Sequence, residues 1–168
     1  MNIVKVIKYK SISGDGFFTK KCHQFFCDKY NFPFNLLTTS CSDALELSAI
    51  LLNIKLNDEV IMPSFTFVSS ANAFVLRGAK IRFVDSCIDN PNIDVSKIEC
   101  LINKKTKAIL VVHYAGMACN MDELLRIKKK YNIPLIEDCA HAIDSYYKKN
   151  PWGHLEIFQL FHFMIQKI

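Results

Sequence analysis

At 168 residues the chain has the length of one domain, enough to bury a core and too long for a disulfide-stapled mini-protein. With 51% hydrophobic and 22% charged residues it sits near the average of soluble domains, which excludes disordered and collagen-like classes. The formal charge of +5 comes from 21 Lys+Arg against 16 Asp+Glu, yet only Arg77, Arg82 and Arg126 are arginines and the lysines are scattered among acids, so no nucleic-acid surface is expected.

The opening Met1-Asn2-Ile3-Val4-Lys5-Val6-Ile7-Lys8 carries lysines inside what would have to be a signal peptide's apolar stretch. No window approaches eighteen uninterrupted apolar residues, so neither export nor a membrane span is expected. Apolar residues at helical spacing predict helices over Thr19 to Tyr30 and Ser42 to Asn53. A β-rich run, Glu59 to Met62, precedes a helix from Val68 to Arg77, which Gly78 should stop. A second run, Lys80 to Val84, leads to a helix over Val95 to Ile102. A third, Ala108 to Val112, leads to a helix over Met121 to Tyr131, and Pro134 lies in the fourth, Ile133 to Ile136. No repeat, low-complexity tract or linker interrupts this alternation. It predicts one continuous domain of α/β class, a mostly parallel sheet with helices on both faces.

Open sheets of this kind bind ligands outside the carboxyl ends of their strands. Five stretches should meet on that rim: Ser40-Cys41-Ser42-Asp43, Pro63-Ser64-Phe65-Thr66-Phe67, Asp85, His113-Tyr114-Ala115-Gly116 and Glu137-Asp138-Cys139-Ala140-His141. The seven cysteines form no C-x-x-C pair and no cluster of zinc-ligand spacing, and an odd number leaves one unpaired in any disulfide scheme. Reduced thiols in a cytoplasmic protein without a metal site are expected.

Small hydroxyl residues at a helix start suit a phosphate, because the first-turn N–H groups have no intrahelical acceptor. Taken alone, the same residues better suit an ordinary cap, with Ser42 or Asp43 capping and Glu46 completing a capping box. Asp138, at the end of an apolar strand, is expected to be partly buried and to need a cation or donors. A protonated pyridine nitrogen would satisfy it, with His141 on a ring hydroxyl. Alternatively Asp138 caps the next segment and His141 is a satisfied core histidine. Phe65 and Phe67 suit either core packing or stacking on a flat ring. No G-x-G-x-x-G or Walker spacing occurs, so dinucleotide and nucleoside-triphosphate readings lose their support.

Several stretches in order resemble the DegT-like family of pyridoxal-phosphate sugar aminotransferases. They are Asn57 to Ala73, Gly78-Ala79-Lys80 with Phe83-Val84-Asp85, Val112 to Gly116, and Glu137 to His141; the likeness runs from about Gly14 to Gly153. The resemblance implies part of the large domain of a fold-type I transferase, a pyridoxal 5'-phosphate cofactor and a homodimer. It also implies transfer of an amino group from glutamate to a 4-keto-6-deoxy sugar nucleotide, for surface polysaccharide or lipopolysaccharide synthesis. Position by position, Cys41, Ser42 and Asp43 match the phosphate-binding helix start, Phe67 the ring-stacking aromatic, Asp138 the pyridinium partner and His141 the ligand of the ring 3-hydroxyl.

The family's cofactor-bearing lysine, fourteen residues after a Gly, corresponds to Lys167 after Gly153, behind Phe161-His162-Phe163. His162 stands where the family has a phosphate-binding Ser, and Met164 where it has His or Tyr. Glu156, Ile157 and Gln159 replace Gly, Asp and Gly. The sequence ends one residue beyond Lys167, whereas family members continue through a small domain. The expectation is therefore a single incomplete domain over 1–168, with no aminotransferase activity in this form. The other open readings are a non-catalytic remnant and an α/β module for another phosphorylated ligand. The apolar Ile157 to Ile165 stretch is expected to offer an unpartnered face.

Overall fold

The computed structural model describes residues 2–10, 14–32, 34–143, 145–148, 150–151, 158–161 and 164–167. Helices α1 (Asn2–Lys8) and α2 (Phe17–Tyr30) lead to strand β1 (Asn35–Leu37), helix α3 (Cys41–Leu51), strand β2 (Glu59–Pro63), helix α4 (Val68–Val75) and strand β3 (Lys80–Val84). Strand β4 (Thr106–Val112), helix α5 (Met121–Tyr131) and strand β5 (Leu135–Asp138) follow, then a small hairpin of β6 (Tyr146–Tyr147) and β7 (Asn150–Pro151), and finally β8 (Phe158–Phe161) and β9 (Met164–Lys167).

Seven strands form one sheet in the order β1-β9-β8-β5-β4-β2-β3. The five from β3 to β8 run parallel; β9 and β1 are antiparallel additions at one edge. From β2 the chain moves outward to β3, then returns to lay β4 on the other flank of β2, so the strand order reverses there. That reversal opens a crevice at the strands' carboxyl ends.

Alternation along each strand sends neighbours to opposite faces. Val60 and Met62 of β2, Ala108 and Leu110 of β4 and Ile136 of β5 pack with α3 and α4. Ile61, Ile109, Val111 and Leu135 pack with Phe26 and Tyr30 of α2 and with Met121, Leu124 and Ile127 of α5. The strands are apolar in unbroken runs because both faces are covered. Helix α5 has a clear polarity: the Asn120 side chain accepts from Glu123 N–H, lysines 128 to 130 fill the last turn, and Asn132 closes it in the left-handed conformation.

The segment Val95 to Ile102 is not an α-helix but two short 3-10 turns, Val95–Lys97 and Glu99–Leu101. Its apolar residues Val95, Ile98 and Leu101 recur every three positions, which fits three residues per turn better than 3.6. The strand expected over Ile133 to Ile136 lies two residues later, and the carbonyl of Pro134 accepts from Ile109 N–H at 2.9 Å. Of the Ile157 to Ile165 stretch, residues 157, 162 and 163 lie outside the described residues. The backbone of the rest is paired between β5 and β1 inside the sheet, and its side chains lie outside the described residues.

Gly78 follows α4 at φ +86°, and a Cβ there would stand 3.0 Å from Leu56 Cα. Its N–H donates to Val75 O and its carbonyl accepts from Asn57 N–H. Gly78→Ala is expected to cost about 1–2 kcal/mol, read as a lower urea midpoint with unchanged slope.

Candidate functional site

Glu137 and Asp138, adjacent at the end of β5, serve opposite faces of the sheet. Asp138, only 6% exposed, meets the α3 and α4 side. Its Oδ1 accepts from the Cys41 thiol at 3.6 Å and from Ala140 N–H at 3.1 Å, and its Oδ2 accepts from the Ser70 hydroxyl at 3.4 Å. Burial pushes the Asp138 carboxyl above the ordinary carboxylate range, with these donors and the His141 ring acting in the opposite sense. Burial, and then the Asp138 charge, push the Cys41 thiol well up, so it remains a protonated donor. The three donors are neutral, which leaves a buried carboxylate without full charge compensation from them.

A cavity of about 410 Å³ opens beside this carboxylate at the carboxyl ends of β2, β4 and β5. Cys41, Ser42, Phe67, Asp138 and His141 all line it, so the structure brings together five of the seven residues singled out from sequence. Phe67 is 73% exposed and presents an uncovered aromatic ring at the wall. His141 Nδ1 accepts from Ala115 N–H at 3.4 Å, which places the proton of the neutral ring on Nε2. Tyr114 packs edge-on to the His141 ring, with centroids 5.6 Å apart, and against Phe65.

At the start of α3 the cap is Ser40, not Ser42 or Asp43: the Ser40 side chain accepts from Asp43 N–H at 3.1 Å. The Asp43 carboxylate in turn accepts from Thr39 and from Ser40, which hold it below its ordinary range. The capping box thus spans Ser40 and Asp43 rather than ending on Glu46, because the helix begins one residue earlier than expected. Asp43 is exposed and is not among the described residues lining the cavity. The Cys41 and Ser42 N–H groups lie in the first turn, with no intrahelical acceptor. Asp85, expected on the same rim, follows edge strand β3 beyond the strand reversal and pairs instead with Lys97 at 3.5 Å.

Lys167 closes β9 with its backbone opposite Phe158, two strands across from β5; its side chain lies outside the described residues. Gly153, Glu156, Ile157 and His162 also lie outside them. Among the described residues every one of the seven cysteines is free.

On the opposite face lies a pair that spacing does not reveal. His113 Nε2 and Glu137 Oε2 are 2.9 Å apart and wholly buried, and His113 Nδ1 accepts from Cys119 N–H at 3.3 Å. The proton therefore sits on Nε2 and is donated to Glu137. Burial, and then the Glu137 charge, push the nearby Cys119 thiol up to about 12. Donor atoms of His113, Glu137 and Cys139 lie within 4.8 Å of one another, but hydrogen bonds already engage both ring nitrogens of His113. Among the described residues, no helix is long and apolar enough to cross a membrane.

Known proteins share this arrangement of chain and fold. The chain is 44% identical over 115 residues to the UDP-4-amino-4-deoxy-L-arabinose–oxoglutarate aminotransferase of Shewanella sediminis, covering 68% of this chain and 30% of that protein. It is 34% identical over 157 residues to the GDP-perosamine synthase of Caulobacter vibrioides, covering 94% of this chain and 42% of that protein. It thus spans less than half the length of either relative. A Streptococcus pneumoniae protein assigned as a sugar aminotransferase, solved in its PLP form, superposes with a TM-score of 0.87 at 27% identity, over 98% of this chain and 50% of that one. The parallel sheet with its helices is the α/β fold of fold-type I aminotransferases. A family profile extends the likeness over residues 2–168, so the chain belongs to the DegT/DnrJ/EryC1/StrS aminotransferase family.

Proposed function

We propose that the cavity holds pyridoxal 5'-phosphate in an enzyme that moves an amino group from glutamate to a 4-keto-6-deoxy sugar nucleotide. The observation that carries this is a buried carboxylate, met by neutral donors, on the wall of a cavity that also holds a helix first turn and an exposed aromatic ring. This donor set fits the cofactor group by group. Asp138 would hold the proton of the ring nitrogen, which supplies the cation its burial calls for. The Nε2–H of His141 would donate to the ring hydroxyl oxygen, and Phe67 would cover one face of the ring. The Cys41 and Ser42 N–H groups, with the Ser42 hydroxyl, would bind the phosphate. When bound, pyridoxal phosphate supplies the electron sink that makes amino transfer between an amino acid and a ketone possible. Lys167 would carry the cofactor and take the proton from the α-carbon of the amino donor.

In Gly14-Asp15-Gly16, Leu37 to Cys41 and Ala73 to Lys80 the sequence resembles family members that make dTDP-4-amino-4,6-dideoxygalactose, and on that resemblance we take a dTDP-linked sugar as substrate and surface polysaccharide synthesis as the role. The relatives' names, UDP-4-amino-4-deoxy-L-arabinose aminotransferase and GDP-perosamine synthase, support the wider class of nucleotide sugars. Phe65, Phe67 and Val68, all exposed and apolar near the cavity wall, suit cover by a second copy, and we place the working protein as a cytoplasmic homodimer in which this chain is part of the cofactor-binding large domain.

Borohydride fixation of pyridoxal phosphate on the full chain, followed by peptide mapping, tests the site. Attachment is expected on Lys167 and lost in Lys167→Ala. Attachment at surface lysines only, unaffected by the substitution, would remove the basis for this reading.

A further inference from the structure

Asp138 is supported by two hydroxyl residues of the same cavity wall, Thr66 and Ser70, and a role for them rests on Asp138 meeting the ring nitrogen of the proposed cofactor. Ser70, in the first turn of α4, is 1% exposed. Its hydroxyl oxygen lies 2.9 Å from Thr66 Oγ1 and 3.4 Å from Asp138 Oδ2. A helical serine ordinarily bonds back to a carbonyl one turn earlier. Here the side chain reaches instead from the helix layer to a carboxylate on the sheet, sixty-eight positions away in sequence.

The order of protons in this chain follows from chemistry. An ionised carboxylate has none to give, so the hydrogen between Ser70 and Asp138 belongs to Ser70, and Thr66 supplies the one between itself and Ser70. If Asp138 is protonated, both hydroxyls can turn and pass the donation the other way, with every heavy atom in place. The partners of Oδ1 differ, since Ala140 N–H is a fixed donor. One carboxylate oxygen is thus pinned, while the other rests on two rotors that match either state of the group.

We infer that Thr66 and Ser70 are positioning residues that act through Asp138, holding its carboxylate in the orientation that receives the ring nitrogen of the cofactor. Two ligands separate this role from a merely structural one: pyridoxamine 5'-phosphate, and its analogue with carbon in place of the ring nitrogen. In the full chain Ser70→Ala should weaken pyridoxamine phosphate about ten-fold, as befits one hydrogen bond to a charged group, and the carbon analogue less than about two-fold. Thr66→Val should act in the same direction by about three-fold, since it removes only the second donor. Thermal midpoints of both variants, taken without ligand, show whether they fold.

Equal losses for both ligands, or no loss for either, overturn the inference. An Asp138→Asn control separates the two levels. If it weakens pyridoxamine phosphate strongly while Ser70→Ala does not, only the positioning role falls. If neither substitution discriminates between the ligands, the cofactor reading has failed and the role of Ser70 falls with it.

Discussion

Replacing Asp138 by Asn is expected to make the ligand-free protein more stable at neutral pH and at the same time to remove most of its affinity for pyridoxamine phosphate. Burial raises the folded-state carboxyl above its unfolded value. Just above the ordinary carboxylate range the folded chain therefore keeps a proton that the unfolded chain has lost. Stability falls as pH rises from the unfolded to the raised folded value of this carboxyl. Asn never ionises, and the Ser70 hydroxyl can turn to accept from its amide, so the variant lacks this fall. Each kcal/mol regained should raise the thermal midpoint by about 2–4 °C. Against this, removing one partner of a buried charged pair costs about 2–5 kcal/mol of binding, roughly 30- to 4,000-fold in affinity. Melting curves from about pH 4 to pH 8 and a titration with pyridoxamine phosphate check both halves. A variant that is less stable than the parent at neutral pH, or that binds equally well, would contradict the role of Asp138.

His113→Phe is expected to destabilise the fold by about 3 kcal/mol, a large part of the stability of an ordinary domain. The ring still fills the space, but Glu137 loses a hydrogen bond made in full burial and Cys119 N–H loses its acceptor. Replacing both members, as in His113→Phe with Glu137→Leu, should recover part of the loss, because the buried carboxylate is then gone as well. Urea unfolding of the two single variants and the double variant measures this. Purely additive losses would show that the two side chains contribute independently rather than through their hydrogen bond.

The parallel part of the fold was legible because β2, β3, β4 and β5 lie in β-rich runs alternating with helical spacing, and α5 carries its own start and stop signals. The site was legible where a residue sits at the end of such a run: Phe67 after β2, and Asp138 and His141 at and after β5. Strand β1, three residues long, joins the sheet only through β9, more than a hundred positions away in sequence, which no local pattern displays. Ser70 read as an ordinary helical residue, because its partner is sixty-eight positions away. The buried His113–Glu137 pair escaped for the same reason, since it joins two neighbouring strands' ends across twenty-four positions. The cap at Ser40 was missed by two or three positions because Ser42 and Asp43 have the same capping chemistry close by.

The adjacency of Glu137 and Asp138 makes the fate of each carboxylate a matter of parity. Odd-numbered positions of β5 belong to the layer with α2 and α5, and even-numbered ones to the layer with α3 and α4. Inserting or deleting a single residue between Leu135 and Glu137 would turn each of the two side chains to the opposite face without changing the composition at the strand's end. An insertion would put Glu137 in the place of Asp138, beside Cys41 and Ser70, whereas a deletion would put Asp138, one methylene shorter, in the place of Glu137, facing His113. Point substitutions along β5 can be absorbed one at a time, but a one-residue change in length there alters the cavity and the opposite core together.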